Sequence, residues 1–322
     1  MSFSMNTIFL DANAETERLI SELKDAVAFK LKKRGAVVGV SGGIDSSVVL
    51  ALCAKTFGPE KVLAVMMPEK DSSPESKQLA TALCEKFKVP YILEDITDAV
   101  NGFGCYKRRD EAVKHVFPEY DPKTYKMKIV LNSDKEAKGK LNLFYLTIIS
   151  QDGTQQSKRI PLAEYLQIVA ASNFKQRSRT NMLYYHAEAK NFAVIGTGNK
   201  NEHEQGFFVK YGDGGADIKP IAHLFKTQVY QLAEFLGVPE EIIERTPTTD
   251  TYSAEQTQEE FFYKTPFEIM DRIWDGWEKG FANDEIAKVL GIPITQVDVT
   301  INDIRQKIQT TEYLRQEPIS LG

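Results

Sequence analysis

The chain has 322 residues, 42% of them hydrophobic and 26% charged, with a formal net charge of −5. This is the composition of a globular protein long enough to bury one large core or two smaller ones, and its acidic balance excludes the broad basic footprint of a general nucleic-acid binder, leaving room only for a local basic groove. No apolar run approaches the ~20 residues that span a bilayer, no basic-then-apolar signal pattern opens the chain, and the three cysteines, Cys53, Cys84 and Cys105, make no CxxC pair, so core thiols and a reducing cytoplasmic location are expected.

In chain order, Asn13 to Lys33 carries Leu19, Ile20, Leu23, Ala26, Val27 and Leu31 near helical spacing, which predicts an amphipathic helix. Ala36-Val37-Val38-Gly39-Val40 is a short apolar run suited to a strand buried on both faces, and Ser41-Gly42-Gly43 breaks it. A helix is expected over Asp45 to Lys55, a strand over Val62 to Met67, a helix over Glu75 to Phe87 and a strand over Tyr91 to Asp95. Strands alternating with helices at this spacing predict a doubly wound parallel sheet.

Lys107 to Arg159 differs in character, being rich in Lys and Asp. Strand-like runs at Lys126 to Leu131, Leu143 to Ser150 and Lys158 to Leu162 are separated by turn signals at Asn132-Ser133-Asp134 and Gln151-Asp152-Gly153. The segment 107–165 therefore reads as an inserted antiparallel hairpin or meander. A helix from about Phe174 to Ala189, a strand at Phe192 to Thr197 and a helical region over 266–322 complete the chain. The expectation is one α/β domain over 1–322: a doubly wound parallel sheet, an inserted antiparallel β element and a C-terminal helical region.

The loop Ser41-Gly42-Gly43-Ile44-Asp45-Ser46-Ser47 has a direct physical use. Its glycines let the backbone turn sharply and approach an anion. The N–H groups of the loop and of the following helix turn point at that anion, and the helix dipole favours its charge. Asp45 would repel phosphate alone but makes sense as a holder of Mg²⁺ bridging phosphate oxygens. There is no Walker lysine. The pattern resembles the pyrophosphate loop of N-type ATP pyrophosphatases, which cleave ATP between the α and β phosphates.

A second constellation follows the later strand: Gly196-Thr197-Gly198-Asn199-Lys200-Asn201-Glu202, then Lys210-Tyr211-Gly212-Asp213-Gly214-Gly215-Ala216-Asp217, Lys219-Pro220-Ile221, Lys226-Thr227-Gln228-Val229 and Pro247-Thr248-Thr249-Asp250. With Asn173-Phe174-Lys175-Gln176-Arg177 and Met67-Pro68-Glu69-Lys70, these strings resemble the ammonia-dependent NAD synthetase family over most of the chain outside the insertion. The resemblance implies that ATP adenylates the nicotinate carboxylate of deamido-NAD⁺ and that ammonia displaces AMP. It implies that Gly39, Val40, Ser41, Gly42, Gly43, Ile44, Asp45 and Ser46 hold ATP, that Thr197, Lys226 and Thr248 contact it, and that Asp45 and Glu202 hold magnesium. Arg177, Lys210 and Asp217 are implied to contact the acid, and Asp45, Lys210, Asp217 and Lys226 to carry the catalysis. A homodimer is implied too. These residue types suit the chemistry, because the barrier is mostly charge placement and alignment.

The sequence departs from the family pattern on the acid side. Val209 stands where the family has Thr, and Tyr313-Leu314-Arg315 where it has His-Lys-Arg. A paralogue amidating another carboxylic acid is therefore the alternative reading. Glutamine-dependent relatives carry a nitrilase-like domain for which there is no room before Ser41, so free ammonia is the expected nucleophile, with a separate glutaminase as a source that fits. Asn283 to Pro293 with the helix after it resembles a helix-turn-helix, but the second segment is not strongly basic. A DNA-binding protein and a non-catalytic ATP-binding regulator remain lesser alternatives, so neither nucleic acid nor membrane is expected as a partner.

Overall fold

The computed structural model describes residues 2–131, 144–249 and 251–321, so the Asn132-Ser133-Asp134 turn signal, Leu143 and Asp250 lie outside the described residues. Its strands are β1 (Ala36–Gly39), β2 (Val62–Met66), β3 (Tyr91–Leu93), β4 (Tyr125–Leu131), β5 (Phe144–Ser150), β6 (Gln155–Arg159) and β7 (Ala193–Ile195). Its main helices are α1 (Ala12–Lys24), α2 (Ile44–Phe57), α3 (Pro74–Lys86), α4 (Thr97–Gly102), α5 (Cys105–Val116), α6 (Leu162–Lys190), α7 (Lys200–Gln205), α8 (Lys226–Leu236), α9 (Glu240–Ile243), α10 (Phe267–Glu278), α11 (Asn283–Leu290), α12 (Ile294–Thr310) and α13 (Glu312–Arg315).

Four strands pair in parallel in the order β3-β2-β1-β7, with Ala36 opposite both Val62 and Ala193. Alternate residues face opposite layers. Ala36, Val38, Val62 and Ala64 pack with Leu19 and Leu23 of α1, the apolar face of α2, and Val229 and Leu232 of α8. Val37, Leu63, Val65 and Val194 pack with Val100 of α4, Tyr106 of α5 and Ala171 and Ala187 of α6. Burial on both faces is why β1, β2 and β7 are apolar throughout, whereas the edge strand β3 leaves Tyr91 and Leu93 exposed. From β1 the chain steps to β2 and β3 on one side, whereas β7 lies on the other. The order therefore reverses between β1 and β7, and the loops leaving these two strands open onto one crevice.

The second sheet is antiparallel, in the order β4-β5-β6, with Tyr125 opposite Ser150 and Tyr145 opposite Arg159. It has a core of its own, in which Met127, Ile129, Leu146 and Ile148 pack on Ala112 and Val113 of α5 and Ile168 of α6. At the C-terminal end, Ile286, Val297 and Ile301 of α11 and α12 pack with Ile273 of α10 and with Phe3. All three cysteines are buried and free. Among the described residues no helix is long and apolar enough to cross a membrane.

Several boundaries differ from the sequence expectation. The helix expected over Asn13 to Lys33 is α-helical only to Lys24 and continues through a π turn at Asp25–Lys30. Lys107 lies inside α5, so the antiparallel element starts only at Tyr125. The third strand of that element is Gln155–Arg159, exposed throughout, rather than Lys158 to Leu162. An edge strand buried on neither face carries no apolar alternation to read. The helix expected from Phe174 starts at Leu162, behind Pro161. It packs on α5 and on the sheet at once, which spreads its apolar residues around the axis and hides its period.

Candidate active site

β1 ends in the loop Ser41-Gly42-Gly43, and α2 begins at Ile44. Gly42 has φ +77, and a side chain there would meet the Ser76 carbonyl oxygen at 2.5 Å, so the loop accepts only glycine at this point. The N-cap of α2 is Gly43, and no side chain caps it. The hydroxyls of Ser46 and Ser47 instead donate to the Gly43 carbonyl at 3.0 and 2.8 Å, and the Gly43 N–H donates to the Ser41 hydroxyl oxygen at 3.3 Å. The result is a compact loop whose helix end, with its N–H groups and positive dipole end, opens on the crevice.

β7 delivers the opposing groups. Asn199 is the N-cap of α7, and its side chain accepts from the Glu202 N–H at 3.0 Å while the Asn199 N–H donates to Glu202 Oε2 at 3.1 Å. This capping box fixes Glu202 on the first turn of α7. The side-chain amide of Asn199 also donates to Asp45 Oδ1 at 2.8 Å, so one residue ties the β7 loop to the phosphate loop. Lys226, at the start of α8, is 1% exposed and donates its ammonium to Asp45 Oδ2. Burial, and then the charge of Asp45, push the Glu202 carboxyl up to about 8 against the pull of Lys226. The carboxyl groups of Asp45 and Glu202 thus lie near each other, with the Lys226 ammonium bonded to Asp45.

These groups line a cavity of about 770 Å³. Of the positions expected to hold nucleotide or metal, Gly39, Val40, Ser41, Gly43, Ile44, Asp45, Ser46, Thr197, Glu202, Lys226 and Thr248 all line it. Gly42 does not, because it faces α3. The three positions expected on the acid side lie outside that lining. The Arg177 Nε donates to the Lys210 carbonyl at 3.3 Å, and the Lys210 ammonium donates to the carbonyls of Tyr313 and Gln316 at 2.9 and 2.8 Å. Asp217 Oδ2 accepts from the Val194 N–H at 2.8 Å, and the Tyr184 hydroxyl donates to Asp217 Oδ1 at 3.2 Å.

Other cations do reach the cavity, among them Lys175, Arg179, Lys219 and Lys307. Helical spacing was the signal available for two of them. Gln176, Arg179, Thr180 and Leu183 line the cavity from one face of α6, and Arg177, one step round from Gln176, points away. Lys175 is held by the Glu69 and Asp71 carboxylates at 2.8 and 3.0 Å, and Asp71 also takes Arg109 at 2.6 Å. This buried cluster anchors the loop after β2, whose Ser72 and Ser73 line the cavity. Nothing in the local sequence marks Arg109 as a partner of Asp71.

The fold and the site together define a doubly wound α/β protein with a glycine-bearing loop at a helix N-terminus and an acid pair at its switch point. The NAD synthase family model matches residues 15–120 and 136–318, and the chain belongs to that family. It is 47% identical to the NH₃-dependent NAD⁺ synthetase of Mesorhizobium japonicum, over 96% of this chain and 97% of the relative. It is 46% identical to that of Rhizobium meliloti (98% and 94%) and 32% identical to that of Methanocaldococcus jannaschii (94% and 95%). Among solved structures, an NMN synthetase from Francisella tularensis superposes with a TM-score of 0.62 at 22% identity, covering 97% of this chain and 99% of the other. The NH₃-dependent NAD synthetase from Campylobacter jejuni gives 0.62 at 22%, covering 97% and 100%. At these identities the structures speak for the shared fold.

Proposed function

We infer that this protein is an ammonia-dependent ligase that uses ATP to amidate deamido-NAD⁺ to NAD⁺ through an acyl-adenylate, releasing AMP and pyrophosphate. The observation that carries this reading is the meeting of Asp45, Glu202 and Lys226 at the open end of the phosphate loop, in a chain that shares nearly half its residues with curated NH₃-dependent NAD⁺ synthetases.

The phosphate loop and the first turn of α2 receive the β and γ phosphates. Lys226 balances phosphate charge once it is released from Asp45. We assign Asp45 and Glu202 to Mg²⁺. The donor set fits, since two neighbouring acids, one of them raised by the charge of the other, gain when a divalent cation joins them. Mg²⁺ binds through one or two carboxylates and completes its shell with phosphate and water, which two acids can serve. When bound, the ion supplies charge neutralisation and alignment of the phosphate oxygens. Thr197 and Thr248 offer hydroxyls to the nucleotide from opposite walls.

Arg177, Lys210 and Asp217 are proposed for the acid, in the sense that the family resemblance implied. Their place outside the nucleotide cavity fits an acid site completed across a homodimer interface. Ammonia attacks the activated carboxyl carbon directly, with a separate glutaminase as a possible source. The three buried, free thiols fit a reducing cytoplasm.

The deciding experiment measures pyrophosphate release with ATP, Mg²⁺ and ammonium across a panel of acids that includes deamido-NAD⁺. Turnover with deamido-NAD⁺ is expected. Turnover with another acid and none with deamido-NAD⁺ would overturn the assignment.

A further inference from the structure

Helix α8 has only half a cap of its own, Gln228 Oε1 accepting from the Phe225 N–H at 3.0 Å. Its N-cap is Phe225, which has no side-chain oxygen, yet the helix must begin there because Lys226, its first residue, reaches Asp45. The orphan N–H groups of the first turn need acceptors from elsewhere. The Lys226 N–H donates to Asn201 Oδ1 at 2.9 Å, and the Thr227 N–H donates to Asp271 Oδ2 at 2.9 Å. The two acceptors are joined, since Asn201 Nδ2 donates to Asp271 Oδ1 at 2.5 Å. Asn201 and Asp271 are both 0% exposed.

Three elements thus meet in one buried unit. Asn201 sits on α7 beside Glu202, Asp271 comes from α10 in the C-terminal region, and the unit caps the helix that carries Lys226. A buried carboxylate is costly unless fully bonded, and a leucine or methionine would fill the same space more cheaply. Simple packing does not require an acid here.

We propose that Asp271, acting through Asn201, is a positioning residue for the adenylation step: it caps α8 from outside and thereby fixes Lys226 and Glu202 in one register against Asp45. The proposal deepens the reading of the site given above and rests on it. Asp271 does not line the cavity.

In the full chain, Asp271→Asn sets an amide N–H against an N–H in every rotamer of the pair, so Lys226 loses its register. The ATP Kd, by calorimetry, is expected to rise about tenfold and kcat to fall about 10–100-fold, as an ångström-scale misplacement does. The KM for the acid should stay within about twofold. The reversed pair Asp271→Asn with Asn201→Asp rebuilds every hydrogen bond and should recover to within about threefold of the parent in both. A folded Asp271→Asn protein with parental kcat and ATP Kd would overturn the proposal. So would a reversed pair no better than the single variant, or an insoluble one. If the single variant does not fold, the reversed pair alone decides. Turnover by the parent protein tests the functional reading, while the ATP Kd tests the brace, so the two can fail separately.

Discussion

Asp45 has two partners with different consequences. Its carboxylate neutralises the almost fully buried Lys226 and accepts from Asn199, which links the two strand-end loops. Replacing it with alanine removes a proposed metal ligand and leaves a buried ammonium unpaired, a loss of ~3–5 kcal/mol. Asp45→Ala should therefore abolish pyrophosphate release with every acid and also lower the urea midpoint. Asp45→Asn keeps the side-chain shape and should lose turnover with a smaller loss of stability; activity retained in either would show the metal role misassigned. Asp71 yields a pH prediction. Burial raises its carboxyl, but Lys175 and Arg109 outweigh that, and its folded pKa lies below the usual 3.8. A depressed carboxylate stabilises the fold above its unfolded pKa and loses that contribution as pH falls through the folded value. The stability gap between the parent and Asp71→Asn should thus be full at neutral pH and close below about pH 3.8. A gap independent of pH in paired thermal melts would contradict this ion-pair role.

The antiparallel sheet is an element with its own core, and it is stitched to the wall of the cavity. The Met127 N–H donates to the Ser253 hydroxyl at 2.9 Å, the Ala254 N–H to the Met127 carbonyl at 3.1 Å, and Gln256 Nε2 to the Ile129 carbonyl at 3.2 Å. Thr248, Thr249 and Thr251 precede these residues and line the cavity. Ile148→Ala, at a fully buried position, should cost about 2–5 kcal/mol and weaken ATP binding by loosening that wall; unchanged ATP affinity in the destabilised variant would show that the sheet and the wall are uncoupled. The same element shows what could be read from sequence. The inner parallel strands were legible because burial on both faces makes them apolar throughout, and the Ser41–Ser47 loop because its glycines and acid sit directly behind such a strand. The antiparallel segment was legible as a class from its turn signals. Its true start was not, since α5 carries Lys107, Arg108 and Arg109 and looks charged although Arg109 is buried against Asp71. The side chains of Asp45, Glu202 and Lys226 were legible from motif strings. The bracing pair Asn201 and Asp271 was not, because its members lie far apart in sequence and only the tertiary fold brings them together.

At the scale of the whole molecule, we propose that exposed apolar side chains on α6 serve assembly. Leu162 and Leu166 on α6 are 70% and 54% exposed, Tyr185 further along the same helix is 61% exposed, and Phe103 packs on Phe174 midway at 4.6 Å between ring centres while itself 62% exposed. Large apolar residues repeated along one helix of a water-facing protein are the usual mark of a subunit contact, and closed twofold dimers are its commonest form. The acid-side residues Arg177 on α6, and Lys210, which holds the segment around Tyr313, flank the cavity outside its lining. A dimer built on α6 would bring partner surface to Arg177 and leave the phosphate loop within one subunit. Leu166→Glu is therefore expected to shift the protein from dimer to monomer in sedimentation, and to raise the KM for deamido-NAD⁺ well above the change in ATP Kd. A monomeric variant with both values unchanged would show that the acid site is complete in one chain, and a parent protein that sediments as a monomer would remove the dimer reading itself.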